Sequence, residues 1–255
     1  MVLACSGAFT ASGRGRRGAT RTMGDDATSG SGTTEDGDQA LWGYPSDGES
    51  RWPSAVAVFA ALGLQLALPD RLTVGPRFVL PVLEFLLVVP LMIANPTRLT
   101  RKSKDMRLLS VVLIALITVA NVASLGLLIH LLVNGAKANG KQLILAAVGI
   151  WLTQVIVYGL WYWEIDRGGP MARMLPDHEP PDFLWTQMTN PEVTRSRWVP
   201  SLGDYLYLSL TNSTAFSPTD TMPLSVRAKT LMAGQSLVSL ATVAIVGARA
   251  VNILS

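Results

Sequence analysis

The sequence predicts an all-α membrane protein of about five transmembrane helices, with a short re-entrant or interfacial helix before the last one. Three observations lead to this. Of the 255 residues 49% are hydrophobic and only 15% charged, and the apolar ones are gathered into a few long blocks. Basic residues cluster in short stretches beside those blocks, as in proteins oriented by the positive-inside rule. One further apolar block, between the last two long ones, is too short to span.

Residues 1–50 read as a disordered N-terminal tail and residues 51–255 as the transmembrane helical domain. Residues 24–50 are mostly Gly, Ser, Thr, Asp and Glu, a composition that buries too little apolar surface to offset the cost of ordering. Met1–Phe9 followed by Arg14, Arg16 and Arg17 has the wrong order for a signal peptide, with no apolar run after the basic residues. Met23 is an alternative start to Met1. The single cysteine, Cys5, lies in this tail, so one chain has no disulfide and no thiolate metal framework.

A helix crosses the hydrocarbon layer in about 20 mainly apolar residues. Five stretches fit, near residues 52–69, 78–95, 108–134, 142–163 and 230–248. The first is short, weakened by Gln65 and anchored by Trp52. The second carries Pro81, Glu84 and Pro90. The third is long enough to tilt, and the fourth ends in Trp161, Tyr162 and Trp163, an aromatic belt.

Basic residues in short loops set the orientation. The loop after the second span holds Arg98, Arg101, Lys102, Lys104 and Arg107, while the opposite side holds Arg71, Arg77, Lys137 and Lys141. This places the basic loop and the N-terminus in the cytoplasm of a multi-pass plasma-membrane protein. The net charge of +3 does not point to nucleic acid, because no polar face gathers the basic residues. The expected surrounding is the lipid bilayer.

The segment 164–227 begins polar and then offers Ser201 as a helix N-cap, with Asp204 three residues on. A helix over about 202–214 would be roughly 20 Å long, too short to span. A hydroxyl-rich stretch follows, with Thr211, Ser213, Thr214 and Ser217, then Asp220. Helix, short helix, polar strand and helix is how a re-entrant pore loop reads, and irregular backbone at that depth requires protein or water around it. An amphipathic helix on the surface gives the same stripe, so both readings stand.

Asp204 to about Asn252 resembles the pore helix, filter and inner helix of potassium channels, through Thr211, Ser213, Thr214, Asp220, Pro223 and the small-residue-rich last helix. Where those channels have Gly-Tyr-Gly, this chain has Phe216-Ser217-Pro218. Ring-forming carbonyls need glycine's freedom, and Pro218 has a fixed φ, so the filter is degenerate and potassium selectivity is not expected. The resemblance implies a pore lined at Thr211, Ser213, Thr214, Ser217 and Asp220, and a homotetramer. Over residues 55–253 the chain also resembles an uncharacterised family of bacterial multi-pass membrane proteins, through the basic loop, Glu179-Pro180-Pro181-Asp182 and Asp204-Tyr205-Leu206-Tyr207. That family lends no function. Positive-inside counting puts 164–227 in the cytoplasm, whereas potassium channels carry the filter outside.

Several polar residues fall inside the expected spans. Glu84 suggests an ion path or proton relay, or a helix-paired carboxyl holding the bundle together. On the last helix Gln235, Ser239, Thr242 and Arg249 share one face at about 100° per residue. That stripe lines water or glues helices, and Ala233, Gly234, Ala244 and Gly247 favour close packing. Thr118, Asn121 and Ser124 read the same way. Asp177, His178, Glu179 and Asp182 lack the spacing of a metal loop, and two histidines give no metalloprotease pairing. No enzyme, metal or cofactor is expected. The two functional readings are a cation-conducting pore and a non-conducting scaffold or accessory subunit that binds a partner through 164–200.

Overall fold

A computed structural model of the chain describes residues 52–73, 76, 78–94, 104–134, 140–170, 172–174, 179–190, 198–215 and 220–254, all in the second of its two compact units, Glu35–Ser255. The expected tail, the basic residues Arg98, Arg101 and Lys102, the pair Asp177 and His178, and Ser217 with Phe216 and Pro218 lie outside the described residues.

Among the described residues seven helices follow one another: α1 Trp52–Leu66, α2 Val79–Ala94, α3 Lys104–Val133, α4 Gly140–Ile165, the single-turn α5 Thr186–Thr189, α6 Leu202–Ala215 and α7 Val226–Leu254. Three of them are long and apolar enough to cross a membrane, over Met106–Val133, Gly140–Gly168 and Val226–Ala248. The apolar stretches Trp52–Leu66 and Val79–Val89 are shorter. Each long helix outruns the apolar block that announces it. Helical hydrogen bonding continues through charged residues such as Arg107, Arg227 and Lys229, whereas composition reports only the part suited to hydrocarbon.

Helix α4 is the axis of the bundle, packed against α1, α3, α6 and α7. Its contact with α6 is close because Gly159 has no side chain. A Cβ there would stand 3.1 Å from the Leu206 Cα and 2.7 Å from its Cδ2. One apolar cluster joins Ala61 of α1, Val88 of α2, Ile117 of α3, Leu160 of α4, Leu208 of α6 and Met232 of α7. A second joins Leu68 and Leu72 to Leu125 and Leu128 of α3 and Ile150 of α4. The outer faces are apolar as well, with Val82, Phe85 and Leu86 of α2 and Leu237, Leu240 and Val243 of α7 exposed. Broad apolar patches of that kind, with three helices of spanning length, mark a membrane protein.

The path of α6 positions everything that follows. The Ser201 N–H and hydroxyl both donate to Asp204 Oδ2 at 2.7 Å, which closes the first turn of the helix. That end lies beside the end of α4, where the Tyr205 hydroxyl donates to Asp166 Oδ2 at 2.6 Å. At the other end the Ser239 hydroxyl donates to Ser213 O at 2.6 Å. Ser239 lies thirteen residues beyond Val226, about 20 Å along α7. The chain is back at the starting end by Thr221. There β2 (Thr221–Pro223) pairs antiparallel with β1 (Phe183–Trp185), Trp185 opposite Thr221, and the Trp185 ring meets Tyr205 at 5.4 Å. Helix α6 therefore enters the bundle from the end at which the chain also leaves it.

Candidate functional site

Two polar assemblies hold this hairpin in place. The first lies deep between α4, α6 and α7 and centres on Gln235, which is fully buried. Its Oε1 accepts from the Tyr162 hydroxyl of α4 and from Asn212 Nδ2 of α6, the latter at 2.9 Å. Its Nε2 donates to Ser209 Oγ at 2.6 Å and to Ser213 Oγ at 2.7 Å. Gln154 Nε2 donates to the Gln235 carbonyl at 2.8 Å. One turn along α7, Ser239 accepts from Trp151 Nε1 at 3.2 Å. A buried amide is stabilising only when its donors and acceptors are met, and here the partners come from two other helices, α4 and α6. The stripe of Gln235, Ser239 and Thr242 is buried throughout; Thr242 turns its hydroxyl back to Val238 O at 2.8 Å.

The second assembly sits where α4 ends. Arg167 has a left-handed backbone (φ 52°), followed by Gly168 at φ 79° and Gly169 at φ 96°. A side chain at Gly169 would place its Cβ 2.9 Å from Glu164 O, so the turn requires glycine there. It directs Asp166 inward. Asp166 Oδ1 accepts the Asp182 N–H at 2.8 Å and Oδ2 accepts the Tyr205 hydroxyl. Asp182 is gripped by Arg227 through Nε at 2.6 Å and Nη2 at 2.8 Å, the two-pronged geometry that suits guanidinium and carboxylate. Arg227 also reaches Glu179 at 2.8 Å. Arg173 donates to Trp163 O at 2.7 Å and Asp166 O at 3.0 Å, and lies over the Trp163 and Tyr205 rings at 5.8 and 5.5 Å. Burial pushes the Tyr205 hydroxyl well above its ordinary value, so it remains a donor to Asp166. The cluster joins the ends of α4, α6 and α7 to the β1–β2 pair.

The residues singled out in the sequence fall in different places. Ser213 is within the Gln235 network and buried. Thr211 and Thr214 turn their hydroxyls onto their own helix, to Leu208 O and Leu210 O, each at 3.0 Å; Thr214 is exposed. Asp220 is exposed, with its carbonyl accepting from Thr186 Oγ1 at 2.7 Å. Asn121 Nδ2 donates to Ile150 O at 3.2 Å, joining α3 to α4. Glu84 is fully buried, far along the chain from both assemblies. Among the described residues no group of three acids, histidines or cysteines is placed to hold a metal ion.

The sequence reading gave no site role to Gln154, Tyr162, Ser209 or Asn212, nor to Asp166, Arg167, Arg173, Tyr205 or Arg227 of the second cluster, and weighed Glu179 and Asp182 only as part of an acidic turn. A signal existed in Trp163-Glu164-Ile165-Asp166-Arg167-Gly168-Gly169. Two acids and an arginine directly after an aromatic belt, ended by two glycines, fit a buried turn better than a solvated loop. Comparisons with protein-family models, with curated proteins and with solved structures find no match.

Proposed function

We propose that this chain is a five-span plasma-membrane protein with a cytoplasmic N-terminus, and that its α4–α6–α7 hairpin forms a cation pore of potassium-channel-like architecture in a homotetramer. The observation that supports this is the depth of α6. A helix too short to span is carried about 20 Å into the bundle and fixed there by Gln235 on α7 and Tyr162 on α4. Fixing the end of such a helix sets the height of whatever follows it, which a narrow passage requires. The hydroxyl-rich stretch begins at that depth.

Within such a pore the roles divide. Ser209, Ser213 and Gln235 are already paired inside the protomer, so they position α6 and do not touch the ion. The passage is left with Thr214 and Asp220, both exposed, together with Ser217. Phe216 and Pro218 stand where glycines would be needed for a potassium filter, so discrimination among monovalent cations is weak.

The sequestration of Ser213 favours a second reading, a non-conducting scaffold in which the hairpin is only a packing device. Single cysteines at Ser213 and Thr214, in a Cys5→Ser background, separate the two. A pore predicts that the Thr214 position reacts with small water-soluble thiol reagents in intact membranes while the Ser213 position stays silent. It also predicts sodium and potassium flux into proteoliposomes that Asp220→Asn reduces several-fold. Silence at both positions, with no flux of any common cation, would leave the scaffold.

A further inference from the structure

A carboxyl group stands in the apolar part of the bundle built by α1, α2 and α3. Glu84 on α2 is fully buried, and one turn on, Val88 packs in the cluster that includes Leu62 of α1 and Ile117 of α3. Opposite it, Gln65 of α1 is close enough to act on the carboxyl. Yet both Glu84 oxygens and Gln65 Nε2 lack a formed hydrogen bond. No charged residue occurs in α1, in the rest of α2, between Leu108 and Ile129 of α3, or between Gln142 and Trp163 of α4. No counter-charge faces Glu84 from any of these helices.

A bare carboxylate in such surroundings would cost far more than a helix contact returns. A purely structural carboxyl would have its oxygens satisfied by neighbouring donors, as Asp166 does. The geometry points to Glu84, backed by Gln65, as a binding site for one monovalent cation, a proton or an alkali ion, whose single positive charge neutralises the carboxylate. The setting suits exchange. Helix α2 exposes Val82, Leu83, Phe85 and Leu86 along its outer side, so one helix separates Glu84 from the surroundings. Pro90, six residues on, cannot donate to the Leu86 carbonyl, which weakens the helix there. This site stands apart from the hairpin and does not depend on the pore reading.

The test is an infrared difference spectrum of the purified protein in lipid nanodiscs, taken across neutral pH in choline chloride and in sodium chloride. The expected result is a carboxylic-acid C=O band, missing in Glu84→Gln, that is lost reversibly while the protein stays folded. Loss on raising pH equally in both salts identifies the proton as the ligand. Loss at fixed pH when sodium replaces choline identifies an alkali ion competing for the carboxylate. A band that persists in both salts until the protein unfolds, or one absent at every pH, overturns the proposal. If Glu84→Gln does not fold, Glu84→Asp supplies the assignment by shifting the band.

Discussion

Among the described residues Asp166 is the carboxylate paired with the buried Arg167 side chain, 3.5 Å from its Nε, and the two terminal nitrogens of Arg167 find no hydrogen-bond partner there. Removing that charge strands a guanidinium in a desolvated site, so Asp166→Asn should cost on the order of 3–5 kcal/mol in denaturant unfolding of the detergent-solubilised protein. Tyr205→Phe leaves the charge in place and removes one bond to a carboxylate, so it should cost less, about 1.5–3 kcal/mol. It should also change the alkaline limb. The buried Tyr205 hydroxyl holds its proton more tightly in the folded protein, so its stabilising effect is complete below about pH 10, the ordinary tyrosine value, and is lost above it. The wild type should therefore lose stability above that pH more steeply than Tyr205→Phe, and parallel curves would contradict the role given to this hydroxyl. In the deeper network Gln235→Leu leaves Tyr162, Asn212 and Ser213 short of a partner. At about 1–3 kcal/mol for a buried group left unsatisfied, that variant should be far less stable than Ser213→Ala, which removes one bond. Equal losses would mean that the network is not cooperative.

At the scale of elements the contact between α4 and α6 decides how the hairpin is built. Gly159→Ala would set a methyl 2.7 Å from Leu206 Cδ2 and 3.1 Å from its Cα. The side chain can rotate away but the backbone cannot, so α6 must shift, at a cost of about 1–3 kcal/mol. Adding Leu206→Ala should recover only part of the loss, and full recovery would show that α6 does not lie as close as described. The sequence reveals the long helices because suitability for lipid is a property of local composition, legible in Leu108–Asn134 or Gln142–Trp163 taken alone. It reveals the stripe of Gln235, Ser239 and Thr242 because helical period is local too. It cannot reveal what the stripe meets. Tyr162, Ser209 and Asn212 become partners of Gln235 only when α4 and α6 are folded against α7. The short β1–β2 pair escapes for the same reason, since Trp185 and Thr221 are joined by tertiary structure and neither strand is long enough to show a period of its own.

For the whole molecule the two ends of the bundle differ in charge. Arg107 of α3 lies 3.7 Å from Glu164 of α4, which brings the start of one helix to the end of the other. Arg167, Arg173, Arg227 and Lys229 gather at that same end. The opposite end carries fewer among the described residues, Arg71, Lys141 and, near the end of α7, Arg249. Counting lysines and arginines in this way sets the orientation of multi-spanning proteins, so the basic end should face the cytoplasm. Ser225, in the turn before α7, marks that end, and Asn134, exposed after α3, marks the other. Single cysteines at these two positions in a Cys5→Ser background can be treated with an impermeant maleimide on whole cells. The Asn134 position should react at once and the Ser225 position only after the membrane is opened. That outcome would put the mouth through which α6 enters on the cytoplasmic side, inverted relative to potassium channels, so any pore would narrow toward the cytoplasmic face. The reverse pattern would give the hairpin the channel orientation. It would also mean that the bonding of Arg173 to the end of α4 and of Arg227 to Asp182 had removed those arginines from the charge count that directs insertion.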